Sequence, residues 1–123
     1  MKSIIAVFAC LLIVGCSSSD ITSPDQIVFP ASNVSYRLQV APYLQISCNT
    51  QGCHDEPNSA NQGITLTSRV QVLSNRVTLA KDTMSPIVLV MKGLDPKHTG
   101  TFLANSNQIR GITVWVWEGA LDN

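Results

Sequence analysis

Cys48-Asn49-Thr50-Gln51-Gly52-Cys53-His54 gathers two of the four cysteines and one of the two histidines of this 123-residue chain into a single C-x-x-x-x-C-H. A fold that carries it must bring two thiols and an imidazole to one side of a short loop. The familiar haem-attachment motif is C-x-x-C-H. Its logic is geometric: two thiols add across the two vinyl groups of haem, and the adjacent histidine is held beneath the iron as proximal ligand. Cys48 and Cys53 are the candidate thioether residues and His54 the candidate proximal ligand. The spacer is four residues where the familiar motif has two, and Gly52 lets the longer loop turn tightly. A plain Cys48–Cys53 disulfide remains open for an oxidising compartment. A Cys₂His₂ zinc site with His54 and His98 is disfavoured, because neighbouring Cys53 and His54 seldom both reach one tetrahedral ion.

The beginning of the chain reads as an address. Lys2 is followed by an apolar run from Ile4 to Val14. A bilayer-spanning helix needs about 20 residues, so this run is too short to span and has the length of a signal-peptide core. It ends in Leu12-Ile13-Val14-Gly15-Cys16 followed by Ser17-Ser18-Ser19. That pattern resembles the lipobox of bacterial lipoproteins. The resemblance implies cleavage after residue 15, lipidation of Cys16, export, and anchoring by acyl chains. Ser17 after the lipidated cysteine implies the outer membrane, with a periplasmic or surface face. Cys10 leaves with the leader.

Residues 16–35 are rich in serine and contain Pro24 and Pro30, with no sustained period. They read as a flexible tether reaching roughly 25 Å as a random coil. Ile27, Val28 and Phe29 leave open a second possibility, that part of the tether docks as a short extended segment.

The domain proper is then 36–123, about 88 residues, a size at which a hydrophobic core is modest and only marginally stable alone. A covalently held, largely apolar cofactor would complete such a core. Its helices can be placed from local signals. Leu38, Ala41 and Leu44 mark a helix over 36–46, with Pro42 better suited to a first helical turn than to an interior. Ser85-Pro86 is an N-cap followed by proline at the first position, and Gly93 a stop. Ser106 is a candidate cap for a last helix ending at Gly119, on which Ile109, Ile112 and Val116 share a face. Taken alone, Val114-Trp115-Val116-Trp117 also has strong strand propensity.

Further residues carry a family likeness. Gly63-Ile64-Thr65-Leu66 follows the motif, Ser85-Pro86-Ile87-Val88-Leu89 comes next, and Trp115-Val116-Trp117-Glu118-Gly119-Ala120 closes the chain. Together with the Cys-His motif, these resemble a family of small cytochrome c domains of bacterial surface and periplasmic proteins, over about residues 40–123. The resemblance implies an all-α fold of about four helices wrapped round one covalent haem c, with the first and last helices crossing beside it and Trp115 packed there. Many members take their second axial ligand from a Met-Pro loop, which this chain lacks. Some carry His-x-Gly at that place, and His98-Thr99-Gly100 fits the variant. His98 is therefore the candidate distal iron ligand, with Met91 and Met84 as alternatives.

Composition narrows the function. Eight basic and eight acidic side chains balance, so the basic stripe of a nucleic-acid binder is not expected. The sequence contains no H-E-x-x-H, G-x-S-x-G or P-loop. With both histidines assigned to iron, no acid–base pair remains, and the chain is not expected to be an enzyme. The expectation is a membrane-anchored monohaem cytochrome that passes electrons between redox proteins of the cell envelope. A haem-free binding or structural lipoprotein with a Cys48–Cys53 disulfide is the alternative.

Overall fold

The computed structural model describes residues 20–74, 76–100 and 103–123. Among them there is no strand, and the fold is all-α. A 3₁₀ turn at Pro24–Gln26 leads to a π turn at Tyr36–Val40, which runs directly into α1 (Ala41–Ser47). After a long loop come α2 (Arg69–Val72), α3 (Pro86–Met91), a 3₁₀ turn at Pro96–His98, and α4 (Ser106–Trp117).

Local chemistry explains these elements. Pro42 lies in the first turn of α1 and has no N–H to donate, while its ring crowds the preceding turn. The backbone before it widens: the Val40 and Ala41 amides reach back five residues, to the carbonyls of Ser35 and Tyr36. Pro86 opens α3 as anticipated, but the Ser85 hydroxyl makes no capping bond and is fully buried. The cap of α4 is Asn105, one residue before the expected Ser106. It forms a reciprocal box with Gln108, each side chain accepting the other's amide. That cap and the buried stripe Gly111, Ile112, Trp115 and Val116 hold residues 114–117 in a helix despite their strand propensity.

The core joins α1, α3 and α4 through Tyr43, Leu44, Val88, Ile112, Trp115 and Val116. α3 packs on α4. Chain outside the expected domain completes it. Residues 24–34, assigned to the tether by the sequence reading, are strapped along α4, and the folded unit extends back to about residue 23. Ile27, Phe29 and Val34 are buried, and the Phe29 ring meets Tyr43 edge-on at 5.7 Å. Asn107 accepts from the Phe29 amide (3.0 Å) and donates to its carbonyl (3.1 Å). Glu118 accepts the Asn33 and Val34 amides, and Asp25 accepts from Asn105 and Gln108. The reason is hydrophobic: Phe29 supplies apolar area that a domain of this size lacks. Residues 1–19, including Cys16 and the leader, lie outside the described residues.

Gly111 is where the strap needs a glycine. A Cβ there would lie well inside the van der Waals radius of the Phe29 ring. Rotating the ring gives no relief, because Phe29 Cβ itself would also lie well inside contact distance and the backbone that carries it is held at both polar atoms. Helix propensity alone predicts that Gly111→Ala gains up to about 1 kcal/mol. Overpacking predicts the opposite sign, a loss of about 1–3 kcal/mol. Phe29→Ala should cost ~3–5 kcal/mol. Urea unfolding of the two variants checks both values, and a stabilised Gly111→Ala would refute the close approach.

Candidate functional site

The seven-residue motif folds as a closed loop at the end of α1. Cys48 is the C-cap residue, and its amide donates to Leu44. The chain turns so that the Cys53 amide reaches the Thr50 carbonyl (2.9 Å) and the His54 amide returns to the Cys48 carbonyl (3.1 Å). Gly52 makes this possible with φ +80°, a left-handed conformation that side-chain-bearing residues rarely adopt, and Asp55 accepts its amide at 3.1 Å. The loop is clamped from below by Asn61, whose amide nitrogen donates to the carbonyls of Cys53 (2.6 Å) and Glu56 (2.7 Å). Nothing in the sequence reading pointed to Asn61, because its role is to satisfy a loop whose path was not yet known.

His54 is oriented by the segment after the loop. Its Nδ1 faces the Ile64 carbonyl at 2.7 Å, and its own carbonyl accepts the Leu66 amide. A carbonyl only accepts, so Nδ1 carries the hydrogen and the lone pair lies on Nε2. His98 has the same arrangement with a different acceptor: its Nδ1 pairs with Oδ2 of Asp95 at 2.5 Å. Asp95 also caps the Pro96–His98 turn, with Lys97 donating to Oδ1. Partial burial works to raise the Asp95 pKa, but hydrogen bonds from the His98 ring and the Lys97 amide outweigh it and hold the carboxyl below its ordinary value.

The two imidazoles, 44 residues apart in sequence, face one another. Their ring centres are 6.0 Å apart and their planes are inclined by 17°. Both rings line a cavity of about 830 Å³ whose wall also contains Cys48 and Cys53. Its apolar side comes from Leu44, Leu66, Ile87, Val90 and Met91, and Arg76 and Lys97 are its cations.

Four of the sequence candidates (Cys48, Cys53, His54 and His98) are thus brought to one cavity, and Met91 lines it too. Met84 is 61% exposed and is not in the wall. Trp115, expected beside a cofactor, is fully buried and is not in the cavity wall: it packs against Tyr36 with ring centres 5.8 Å apart and planes tilted by 30°, and its indole N–H donates to the Leu121 carbonyl. That bond reads out the closing turn of the chain, which explains the tryptophan without a ligand. Among the described residues no three His, Cys, Asp or Glu side chains are grouped to hold a metal ion. Comparison of the chain with known protein families, with curated proteins and with solved structures finds no match.

Cys48 and Cys53 are free thiols in unlike settings. Burial, and secondarily the neighbouring Cys53 thiol, push the Cys48 thiol up to about 12. A thiol held that far up is almost wholly protonated at pH 8, and the thiolate is the reactive form. Cys53 is exposed. Iodoacetamide should therefore modify Cys53 at least tenfold faster than Cys48 at pH 8, with the Cys48 rate still climbing at pH 11. Peptide mass spectrometry of a timed reaction measures both rates, and equal rates at pH 8 would contradict the shielding of Cys48, which is half-buried where Cys53 is exposed.

Proposed function

We propose that this chain is a lipid-anchored, monohaem c-type cytochrome that carries electrons between redox proteins of the bacterial cell envelope. The observation that carries the reading is the convergence of both motif thiols and both imidazoles, whose ring centres are 6.0 Å apart, on the wall of one cavity. The residues present fit a haem. A cavity of about 830 Å³ lies within the range of small-molecule and cofactor sites, roughly 300–1,000 Å³. Bound there, haem supplies a one-electron iron couple.

Everything else is done by the chain. Cys48 and Cys53 are the covalent holders, and the Gly52 turn sets the spacing between them. The Ile64 carbonyl and the Asp95 carboxylate keep hydrogen on each Nδ1, so that His54 and His98 present Nε2. With haem bound, His54 and His98 would be the iron ligands and would leave no position for an external ligand, which favours electron transfer over catalysis or gas sensing. Leu44, Ile87, Val90 and Met91 give the cavity an apolar wall for the group. Met91 is the alternative to His98, since its side chain shares that wall; Met84, well exposed, is not competitive.

Anchoring follows from the lipobox-like sequence at Cys16. With the folded unit starting near Ser23, the seven residues from Cys16 reach at most ~25 Å. On this reading the domain works close to the membrane, the outer one by the residue after the cysteine, and its partners are membrane-proximal.

The test is a pyridine haemochrome spectrum of protein made in a host competent for c-type maturation, beside a Cys48→Ala/Cys53→Ala variant. Thioether-linked haem in the wild type, lost in the variant, is the expected outcome. The oxidised protein should lack a methionine-to-iron charge-transfer band, and His98→Ala should let the ferrous form bind carbon monoxide rapidly. Wild-type protein without covalent haem would overturn the reading, and a thiol assay would then ask whether Cys48 and Cys53 are a disulfide.

A further inference from the structure

The two facing histidines are held by different kinds of acceptor. His54 Nδ1 meets a neutral amide carbonyl, that of Ile64. His98 Nδ1 meets an anion, the Asp95 carboxylate. Asp95 is committed at every oxygen: Oδ1 accepts the Lys97 amide at 3.3 Å, Oδ2 pairs with the His98 ring, and the backbone carbonyl accepts the His98 amide at 3.1 Å and the Thr99 hydroxyl at 3.2 Å. One residue thus sets the path of the turn and the orientation of the ring that the turn carries. The pair is partly withdrawn from water, with 24% of the Asp95 side chain and 33% of the His98 side chain exposed.

We infer that Asp95 is the positioning residue of the cavity's second histidine, and that its carboxylate biases a bound iron toward the oxidised state. The inference rests on the haem reading above for its consequence, and on the geometry alone for its cause. A carboxylate that accepts an imidazole N–H pushes electron density onto the opposite nitrogen and raises its basicity as a ligand. A more basic ligand, with a negative charge behind it, stabilises the more positive ferric ion more than the ferrous one. Ile64 offers His54 no comparable charge. Outer partners of this kind are typically worth about 10–100-fold in metal affinity.

The competing account is that Asp95 only caps a turn. Serine caps about as well as aspartate, so Asp95→Ser keeps the cap and removes the acceptor from the ring. Asp95→Asn keeps the shape but has a single oxygen. It must give up either the cap or the ring, and an amide N–H facing Nδ1 favours the tautomer with hydrogen on Nε2, which cannot ligate. Asp95→Glu keeps the charge with a longer reach.

The experiment compares reduction potentials and spectra of the full-length, haem-loaded wild type and the three variants. All retain Cys48, Cys53 and His54 and so should retain covalent haem. In Asp95→Ser and Asp95→Asn the ferric-to-ferrous ratio at fixed potential should fall at least tenfold, a rise of about 59 mV for a one-electron couple. Part of each population should turn high-spin and bind carbon monoxide, and Asp95→Glu should recover part of the wild-type potential. An Asp95→Ser protein with wild-type potential and spectrum would reduce Asp95 to a cap and end the inference. Should the wild type carry no haem, the cytochrome reading fails separately. The Asp95 role is then decided by nitrogen-15 NMR of His98: a wild-type Nδ1–H tautomer that becomes mixed in Asp95→Ser upholds it, and an unchanged tautomer overturns it.

Discussion

A cavity of about 830 Å³ bordered by short helices is the constraint around which the rest of the chain is arranged. None of the four helices exceeds 12 residues, and isolated helices below about 12–15 residues are marginal in water. They persist by burying apolar faces and satisfying their ends. Yet part of the face offered by Leu44, Ile87 and Met91 lines a hollow. Core area must come from elsewhere, and the strap at residues 24–34 supplies it. Phe29 lies on Gly111 and Tyr43, and Asn107, Arg110 and Glu118 tie the strap's backbone to α4. The C-terminus closes the other side, with Asn123 accepting from Tyr36 and Arg37.

This division of labour separates stability from function. Trp115, Tyr36, Phe29 and Tyr43 do not line the hollow and fill the core that Leu44, Ile87 and Met91 share with its wall. The motif loop and the Asp95–Gly100 loop carry the polar groups that point into it. Both loops are held by side-chain-to-backbone hydrogen bonds more than by apolar contact: Asn61 under one, Asp95 within the other. Such bonds are directional, so they fix a ring's orientation where packing would fix only its position. A site whose use depends on which nitrogen carries hydrogen needs the former.

Several features were legible in the residues alone because they depend on neighbours a few positions away. The C-x₄-C-H, the Gly52 turn, the Pro86 start of α3 and the Gly93 stop are of this kind, since capping, left-handed φ and missing N–H groups act within one turn of chain. The all-α class was implied by the family resemblance, and these local signals agree with it. Small errors came from competing local choices, such as Asn105 taking the cap from Ser106.

What only the tertiary structure decided involves partners far apart in sequence. The docking of Phe29 on Gly111 spans about eighty residues, and the sequence left open whether that stretch was tether or strap. Trp115 was read toward a cofactor and lies instead against Tyr36, because an indole's burial is written in the sequence but its neighbour is not. His98 was one of three candidates to face His54, and the fold alone brings the rings to 6.0 Å while leaving Met84 in solvent. The sequence by itself therefore determined the helical class and the chemistry of the groups available. Which of those groups meet was decided by the packing of distant segments, since burial rewards any apolar surface alike and only the assembled core selects one pairing.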